Sequence, residues 1–251
     1  MKKLFYLLLL IPVLLFAQND QLFEKATALY NEGKFEEAIN AYETILASKQ
    51  HSAALYYNLG NAHYKLNHIA PSIYYYEKAL LLNPGDKDVL NNISFARNMA
   101  IDVIEPLPPT GFSKFIERSI GRLSYKNWAI LSIIGVFLFT GLFLTYYFLY
   151  QQKFKRIAFV SSLLFLGLSI FSVNMAFHEY NTIQNNRPAI VFSEETNVNA
   201  EPNNRSDIVF TLHEGTKVQV LESYNEWKKI KLADGKIGWL PSSEIKEIKD
   251  F

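Results

Sequence analysis

Two long runs of uncharged, mostly apolar residues dominate the second half of the chain. Residues 128–150 contain no charged side chain over 23 positions, and residues 157–177 contain none over 21. A helix rises about 1.5 Å per residue, so each run is long enough to cross the roughly 30 Å hydrocarbon core of a bilayer. The pattern therefore predicts two transmembrane helices, one at 128–150 and one at 157–177.

The six residues between these runs carry Lys153, Lys155 and Arg156 and allow only an antiparallel hairpin. Short loops rich in Lys and Arg remain on the cytoplasmic side of a membrane. We therefore expect a cytoplasmic loop at 151–156, with both flanking parts of the chain on the opposite side.

A shorter apolar run, residues 4–16, follows two lysines at the N-terminus. It spans only about 20 Å, too little for a bilayer core, and Ala17 is a small residue at a suitable cleavage point. The run predicts a signal peptide over 1–17, with an uncleaved anchor as the alternative. The basic stretch 112–126 would compete for the cytoplasmic side, but the signal acts first. We expect a two-pass inner-membrane protein with both folded ends in the periplasm.

Residues 19–103 contain an internal repeat of 34 residues. The segments 19–52 and 53–86 align without a gap, and a third, closing helix begins at Lys87. Small residues that let paired helices approach closely recur at matched positions: Ala26, Ala38, Gly60 and Ser72. This period and these residue types resemble the tetratricopeptide repeat, which implies an all-α solenoid. Two full repeats are few for a continuous core, so we expect marginal stability unless something covers an end.

The resemblance also implies a groove, because such repeats bind extended peptides on one face of their first helices. The side chains expected to line it are aromatic or carry an amide or amino group: Tyr30, Tyr57, Asn58, Asn61, Tyr64, Lys65 and Asn92. An amide donates and accepts hydrogen bonds at once, and aromatic rings supply flat contact area. The alternative is that the asparagines only solvate the surface.

Residues 104–127 connect the repeats to the first apolar run. Three prolines near the start prevent helical continuation and predict a Pro-rich, semi-rigid linker. Apolar residues spaced three and four apart then alternate with basic ones, which predicts an amphipathic juxtamembrane helix. It would lie either on lipid headgroups or against a protein neighbour.

After residue 188 the pattern changes to short alternating apolar stretches typical of strands. These stretches are 189–192, 207–212, 217–221, 227–233 and 236–240. Asp234 and Gly235 predict a two-residue hairpin turn. The Glu214-Gly215-Thr216 turn, Trp227 and the Gly238-Trp239-Leu240 end resemble the bacterial SH3 domain. The resemblance implies an all-β SH3-like barrel over 188–251.

Within this barrel, Tyr224 and Trp227 are the candidates for a ligand face, with ordinary packing as the alternative. Trp239 is expected in the core. Family members that read cell-wall peptides often have Arg-Ser where this chain has Asn199 and Ala200. A wall-binding role is weakened accordingly.

Composition and charge exclude several kinds of chemistry. The 25 Lys and Arg against 24 Asp and Glu leave a net charge of +1, which gives no global field for nucleic acid. The absence of cysteine excludes disulfides, thiolate metal sites and a cysteine nucleophile. The five histidines show no metal-ligand spacing, and no glycine-rich phosphate loop or nucleophile elbow occurs. We therefore expect no metal, no cofactor and no enzymatic activity.

The whole order of segments resembles the BatE family of the Bacteroides-type aerotolerance operon. That resemblance implies scaffolding in a membrane complex with von Willebrand A domain proteins and a MoxR-type ATPase, linked to oxidative or envelope stress. The expected partners are such membrane proteins, the lipid bilayer and, as a further option, another copy of the chain. Binding to the cell wall through the SH3-like domain is the alternative function. Sensing is a weaker one, because a six-residue cytoplasmic loop offers little surface.

Overall fold

The structure, a computed structural model, describes residues 19–108 and 123–249. The expected signal peptide 1–17 and most of the basic stretch 112–126 lie outside the described residues. The chain divides into two compact units, one formed by Met1–Pro106 with Arg187–Phe251 and the other by Leu107–Asn186. The predicted fold class is confirmed: helical repeats, two long apolar helices and an antiparallel sheet follow one another along the chain.

Five helices form the repeat region among the described residues. They are α1 (residues 19–31), α2 (Phe35–Ala47), α3 (Ala53–Lys65), α4 (Ile69–Leu82) and α5 (Lys87–Arg97). The 34-residue period is visible in the turns between paired helices. Gly33 and Asn67 occupy matched positions with φ of 78° and 59°, and both donate a backbone hydrogen bond to the residue three positions before. Asparagine replaces glycine there because it tolerates the left-handed conformation better than most residues.

Small residues hold α3 and α4 close together, as the sequence predicts. A Cβ on Gly60 would lie 2.6 Å from the ring of Tyr76, so only glycine fits. Ser72 donates from Oγ to the Gly60 carbonyl oxygen at 3.0 Å, which satisfies both buried groups. The helices begin at side-chain caps where the sequence offers them. Ser52 accepts from the Leu55 amide at the start of α3, and Asp86 caps α5.

Residues 187–249 form a seven-stranded sheet in the order β3-β2-β6-β5-β4-β1-β7, with every pair antiparallel. Its strands are β1 (Arg187–Val191), β2 (Glu195–Asn199), β3 (Ile208–His213), β4 (Lys217–Tyr224), β5 (Trp227–Lys231), β6 (Ile237–Pro241) and β7 (Ile245–Glu247). Gly238 lets β6 approach β2, because a Cβ there would lie 2.5 Å from Val198 Cγ1.

Three details of the sheet differ from the sequence prediction. The asparagine-rich β2 and the three-residue β7 are strands that the pattern did not predict. The turn between β5 and β6 has three residues and not two. Leu232 donates its amide to the Lys236 carbonyl, and Gly235 donates to Leu232 with φ of 92°. This bonding matches a tight turn followed by a left-handed residue, which adds one residue to the loop.

The sheet packs on the helical repeats and shares a core with them. Ile190 and Ile248 are fully buried in one cluster with Ile73 and Tyr74 of α4 and Val89 of α5. The sheet therefore covers the end of the short solenoid. From the two repeats alone we expected marginal stability unless something covered an end, and the sequence did not identify the sheet as that cover.

The second unit is a helical hairpin. Its helices are α6 (Tyr125–Phe148) and α7 (Gln152–Asn185), and they pack antiparallel. Both are long and apolar enough to cross a membrane, and most of their large apolar side chains are exposed, Phe137 by 74%. This exposure is unlike that of the core helices of a soluble protein.

The hairpin differs from the prediction at its connection. Only residues 149–151 separate the helices, so Lys153, Lys155 and Arg156 belong to the first turns of α7 and not to a six-residue loop. These residue types are good helix formers and nothing in the segment breaks a helix. α7 likewise continues past Phe177 to Asn185, because its polar continuation is still compatible with a helix.

Candidate functional site

The groove face of the repeats is organised around an amide and tyrosine network. Asn61 Oδ1 accepts hydrogen bonds from Asn92 Nδ2 at 2.9 Å and from Tyr76 Oη at 2.6 Å. Asn92 Nδ2 also donates to Tyr57 Oη at 3.1 Å. The network joins α3, α4 and α5, so the sequence-predicted residues Tyr57, Asn61 and Asn92 lie together as expected.

The amide group of Asn61 is only partly used by this network. Its oxygen accepts twice, while its Nδ2 group forms no hydrogen bond with any of the residues that the structure describes. Two N–H donors of this half-buried side chain are therefore available for an acceptor, such as a peptide carbonyl.

Two buried tyrosines from the second helices form the floor below the amides. Burial raises the pKa of Tyr76, and the nearby Tyr57 and Tyr30 hydroxyls add to this. Burial also raises the pKa of Tyr42. The hydrogen bonds of Tyr42 with Thr27 and Asn58 lower this pKa and partly offset the effect of burial. Both phenols therefore stay protonated at any physiological pH and act as fixed hydrogen-bond donors.

Tyr30 and Asn58 extend the face toward α1. Tyr30 is half-buried, packs edge-on against Phe35 with ring centres 5.3 Å apart, and has its pKa raised by burial and by Tyr57. Asn58 is half-buried beside Tyr42. The aromatic wall and the amides thus form one continuous surface across α1, α3 and α5.

Tyr64 and Lys65 lie at the C-terminal end of α3. Tyr64 is half-buried against the core that contains Tyr76, and Lys65 is exposed. Over the residues described, no side-chain hydrogen bond ties either of them to the amide network. The structure therefore gathers five of the seven predicted groove residues and leaves these two at its margin.

The predicted face of the SH3-like sheet is a hairpin pair. Tyr224 and Trp227 are partners across the β4–β5 turn, where Tyr224 is 54% exposed and Trp227 half-buried. Trp227 lines a cavity of about 260 Å3 that Tyr224 does not reach. Trp239 was expected in the core, but it is half-buried and lies outside the sheet core, with Lys229 Nζ 5.6 Å from its ring.

Polar side chains line the cavity beside Trp227, and of these the sequence had singled out only Asn199: Thr196, Asn197, Asn199, Asn204 and Ser206. The lining is uncharged. A ring next to several amides and hydroxyls suits a neutral ligand rich in hydrogen-bonding groups. The strand β2, which supplies three of these residues, is the one that the pattern did not predict.

Sequence reasoning also missed the polar contacts that hold the sheet to the helices. Lys217 Nζ lies 2.8 Å from both carboxylate oxygens of Glu77, and Arg97 Nη2 lies 2.6 Å from Oε1. The Glu77 side chain is only 9% exposed. Glu77 occupies the position of Glu43 in the first repeat, so its identity alone carried no signal for this role.

A second set of contacts lies after α5. Asp102 Oδ2 accepts from the His213 amide at 2.7 Å and from Thr216 Oγ1 at 2.6 Å, and Oδ1 lies 2.9 Å from His213 Nδ1. Burial alone would raise the pKa of Asp102. The hydrogen bonds from Thr216 and His213 outweigh it, so the pKa lies below its ordinary value. The carboxylate stays ionised and anchors the β3–β4 turn.

Over residues 19–108 and 123–249, no group of three His, Asp or Glu side chains is placed to hold a metal ion. The candidate sites are surfaces for binding: a groove on the repeats and a small cavity on the sheet.

Comparison with known families identifies the two modules that carry these surfaces. Residues 23–87 match the family model of the tetratricopeptide repeat, and residues 194–246 match that of the bacterial SH3 domain. No curated protein matches the chain. The chain therefore carries two modules of classes that typically bind proteins, on either side of two candidate membrane-spanning helices in the sequence.

Proposed function

We propose that this protein is a two-pass scaffold of the inner membrane that presents its repeat groove and its SH3-like sheet to partners in the periplasm. It acts as a BatE-like component of an aerotolerance or envelope-stress complex, and its partners are membrane proteins with von Willebrand A domains. The activity is binding and positioning, without catalysis.

The observation that carries this proposal is the amide network on the groove face. Asn61 keeps two N–H donors unused, Tyr57 accepts from the same Asn92 amide that donates to Asn61, and Tyr30 lies near Tyr57. The polar contacts of the sheet with the repeats at Glu77 of α4 and at Asp102 after α5 involve none of the groove residues Tyr57, Asn61 and Asn92. An extended peptide segment matches both the donors and the flat aromatic area.

The groove is tested by a substitution that replaces its two N–H donors with a carboxylate oxygen of similar size. Asn61→Asp keeps the oxygen that accepts from Tyr76 and Asn92 and removes the two N–H groups. The matched control, Asn40→Asp, adds the same charge at an exposed position of α2. We expect von Willebrand A domain proteins, identified by mass spectrometry after purification from native membranes, to be lost with Asn61→Asp and retained with Asn40→Asp. Equal retention by both variants would contradict the groove.

The topology is supported by the three basic residues near the hairpin connection, since Lys and Arg in short connections favour the cytoplasm. The chain has no native cysteine, so single cysteines report cleanly. Single cysteines at the exposed positions Ser48 and Ser243 should react with an impermeant thiol reagent added outside intact cells. A cysteine at the exposed position Gln151 should react only after lysis. Labelling of position 151 in intact spheroplasts would show that the proposed orientation is wrong.

Binding to the cell wall is the second candidate function, and the cavity beside Trp227 favours it. Its uncharged amide and hydroxyl lining suits a glycan or a peptide stem. The sheet shares its core with the helices, so the test uses the full chain in detergent. Trp227→Ala should abolish sedimentation with purified peptidoglycan while the exposed Lys231→Ala should not. Absence of any sedimentation by the unchanged protein would dismiss this function.

A further inference from the structure

The helix α7 has a second surface, on the side turned away from α6. Its buried residues are all small and form the side that packs on α6, where Ser169 donates to the Ser132 carbonyl at 2.9 Å: Ala158, Ser162, Ser169 and Ser172. A helix turns about 100° per residue, so positions two residues away from this stripe lie on the opposite side. Four exposed residues there form what we call the outer face of α7: Leu164, Gly167, Phe171 and Asn174.

The outer face carries an amide within an apolar run. Asn174 is the only Asn or Gln in residues 128–150 and 157–177. The first charged residue after the second run is Glu179, five positions and so about 7.5 Å further along the helix. In the proposed two-pass topology, the Asn174 side chain therefore lies at the level of the hydrocarbon core and not in water.

The helix itself satisfies only part of this amide. Asn174 Nδ2 donates to the Ile170 carbonyl at 2.8 Å, whereas its second hydrogen and Oδ1 have no hydrogen-bond partner among the residues that the structure describes. Unpaired polar groups in hydrocarbon cost several kcal/mol. The exposed hydroxyls of Thr140 and Thr145 on α6, by contrast, donate to carbonyls of their own helix. The Asn174 amide therefore indicates a partner from outside the hairpin.

The outer face also has space for another helix to approach closely. Gly167 precedes Asn174 by seven residues, about two turns, so the two positions lie nearly in line. A Cβ built on Gly167 would meet no described atom within 4 Å. Leu164 and Phe171 continue the same line and are 61% and 47% exposed. Their spacing of three and four is that of helices packed side by side at a small crossing angle.

We infer that the outer face of α7 binds the same face of a second copy of this chain, so that the hairpin dimerises in the membrane. A two-fold axis along the membrane normal places the two Asn174 side chains at one depth. Each then donates its free N–H to Oδ1 of the other, which satisfies both unpaired groups at once. An unrelated helix would need a matching amide at this depth, whereas a second copy has one by identity. A single asparagine on a helix seam also fixes register and a two-stranded state.

The inference rests on the proposed two-pass topology and goes beyond the proposed binding of partners. In a dimer, the repeat groove and the SH3-like sheet are each present twice on the same side of the membrane. A partner with two binding segments would gain affinity from this without any new contact.

Oxidative crosslinking in native membranes tests which surface meets the second copy. The chain has no cysteine, so Leu164→Cys places a single thiol on the outer face. The control Phe137→Cys places one at a 74% exposed position of α6. Copper phenanthroline should link two chains of Leu164→Cys and leave Phe137→Cys monomeric. Equal dimer yields from both, or linkage of Leu164→Cys to a different protein, would overturn the inference.

Energy transfer between labelled copies measures what the amide contributes. The full chain carries donor or acceptor dyes on Ser243→Cys, an exposed position, and is reconstituted into neutral vesicles. Asn174→Leu should raise the dissociation constant of the dimer about tenfold, because two hydrogen bonds between membrane helices are lost. Asn174→Gln keeps an amide and should retain most of the transfer. Thr140→Val removes a hydroxyl that its own helix satisfies and should dimerise normally.

Alkaline carbonate extraction separates a failure of this inference from a failure of the topology. If carbonate releases the unchanged protein from membranes, the two-pass topology and the dimer are both wrong. If the protein stays in the membrane but shows no energy transfer, or if Asn174→Leu transfers energy as well as the unchanged protein, only the dimer is wrong.

Discussion

Gly215 is the position where the packing of sheet on helix can be tested most directly. It lies in the β3–β4 turn with φ of 82°, and its amide donates to the Val191 carbonyl at 2.9 Å. A Cβ added there would lie 2.9 Å from Ile73 Cδ1 and 3.0 Å from Ile69 Cγ2, both on α4. Only glycine satisfies both the backbone conformation and this contact.

The cost of Gly215→Ala has two parts. The left-handed backbone costs an alanine about 1 kcal/mol. The contact adds about 1–2 kcal/mol, because overpacking a buried site forces neighbouring side chains to move. Ile73 is 1% exposed, so the end of its side chain has little room. We therefore expect a total loss of about 2–3 kcal/mol in the free energy of unfolding.

Gly33→Ala is the matched control for this substitution. Gly33 has nearly the same φ, 78°, but nothing lies within 4 Å of a Cβ built on it. It should therefore lose only the backbone part, about 1 kcal/mol.

The assay is thermal unfolding of the full chain in detergent, followed by near-ultraviolet circular dichroism. At roughly 2–4 °C per kcal/mol, the midpoint should fall about 2–4 °C for Gly33→Ala and about 4–12 °C for Gly215→Ala. Hydrogen exchange should also become faster in β1 for Gly215→Ala alone. Equal losses for the two variants would refute the close contact between the turn and α4.

Three further predictions follow from single contacts. Burial, with His68 and Lys246 nearby, lowers the pKa of His63 to about 4, so the unfolded state takes up a proton first as the pH falls below 6.5. The free energy of unfolding should then drop by about 3 kcal/mol between pH 6.5 and 4. Urea denaturation of His63→Leu at the same pH values should lack this drop. Glu77→Gln weakens two contacts with exposed partners and should cost about 1 kcal/mol, a loss that vanishes in high salt if the charge is responsible. Ser169 donates to the Ser132 carbonyl within the hairpin at 2.9 Å, so Ser169→Ala should weaken helix pairing by about 0.6 kcal/mol in a disulfide-trapping assay, and an unchanged yield would contradict it.

The repeat region shows how far the sequence goes. Its period placed the helices, the small residues at Gly60 and Ser72, and the shared face of Tyr57, Asn61 and Asn92. The helices and the small residues follow from spacing along the chain, which is a local property, whereas the shared face is what the resemblance to the tetratricopeptide repeat implied. The network among the three side chains did not follow, because it needs the buried Tyr76 from another helix to complete it.

The hairpin and the sheet show where local patterns mislead. Charge marked 151–156 as a loop, yet the helix begins at Gln152, because charge predicts the side of a membrane and not the backbone conformation. The sequence pattern did not predict β2, because asparagine is uncommon in strands. Strand formation depends on neighbours across the sheet more than on residue type.

The sequence by itself determined which modules this chain contains: a 34-residue helical period, two uncharged apolar runs and a series of alternating stretches each encode their element locally. Only the tertiary structure decided that the sheet packs on the helical repeats and shares a core with them. The contacts responsible join Asp102 to His213, 111 positions apart, and Glu77 to Lys217, 140 apart. No periodicity spans such separations, because these pairs are set by the shapes of two folded surfaces and not by the spacing of residues along one element.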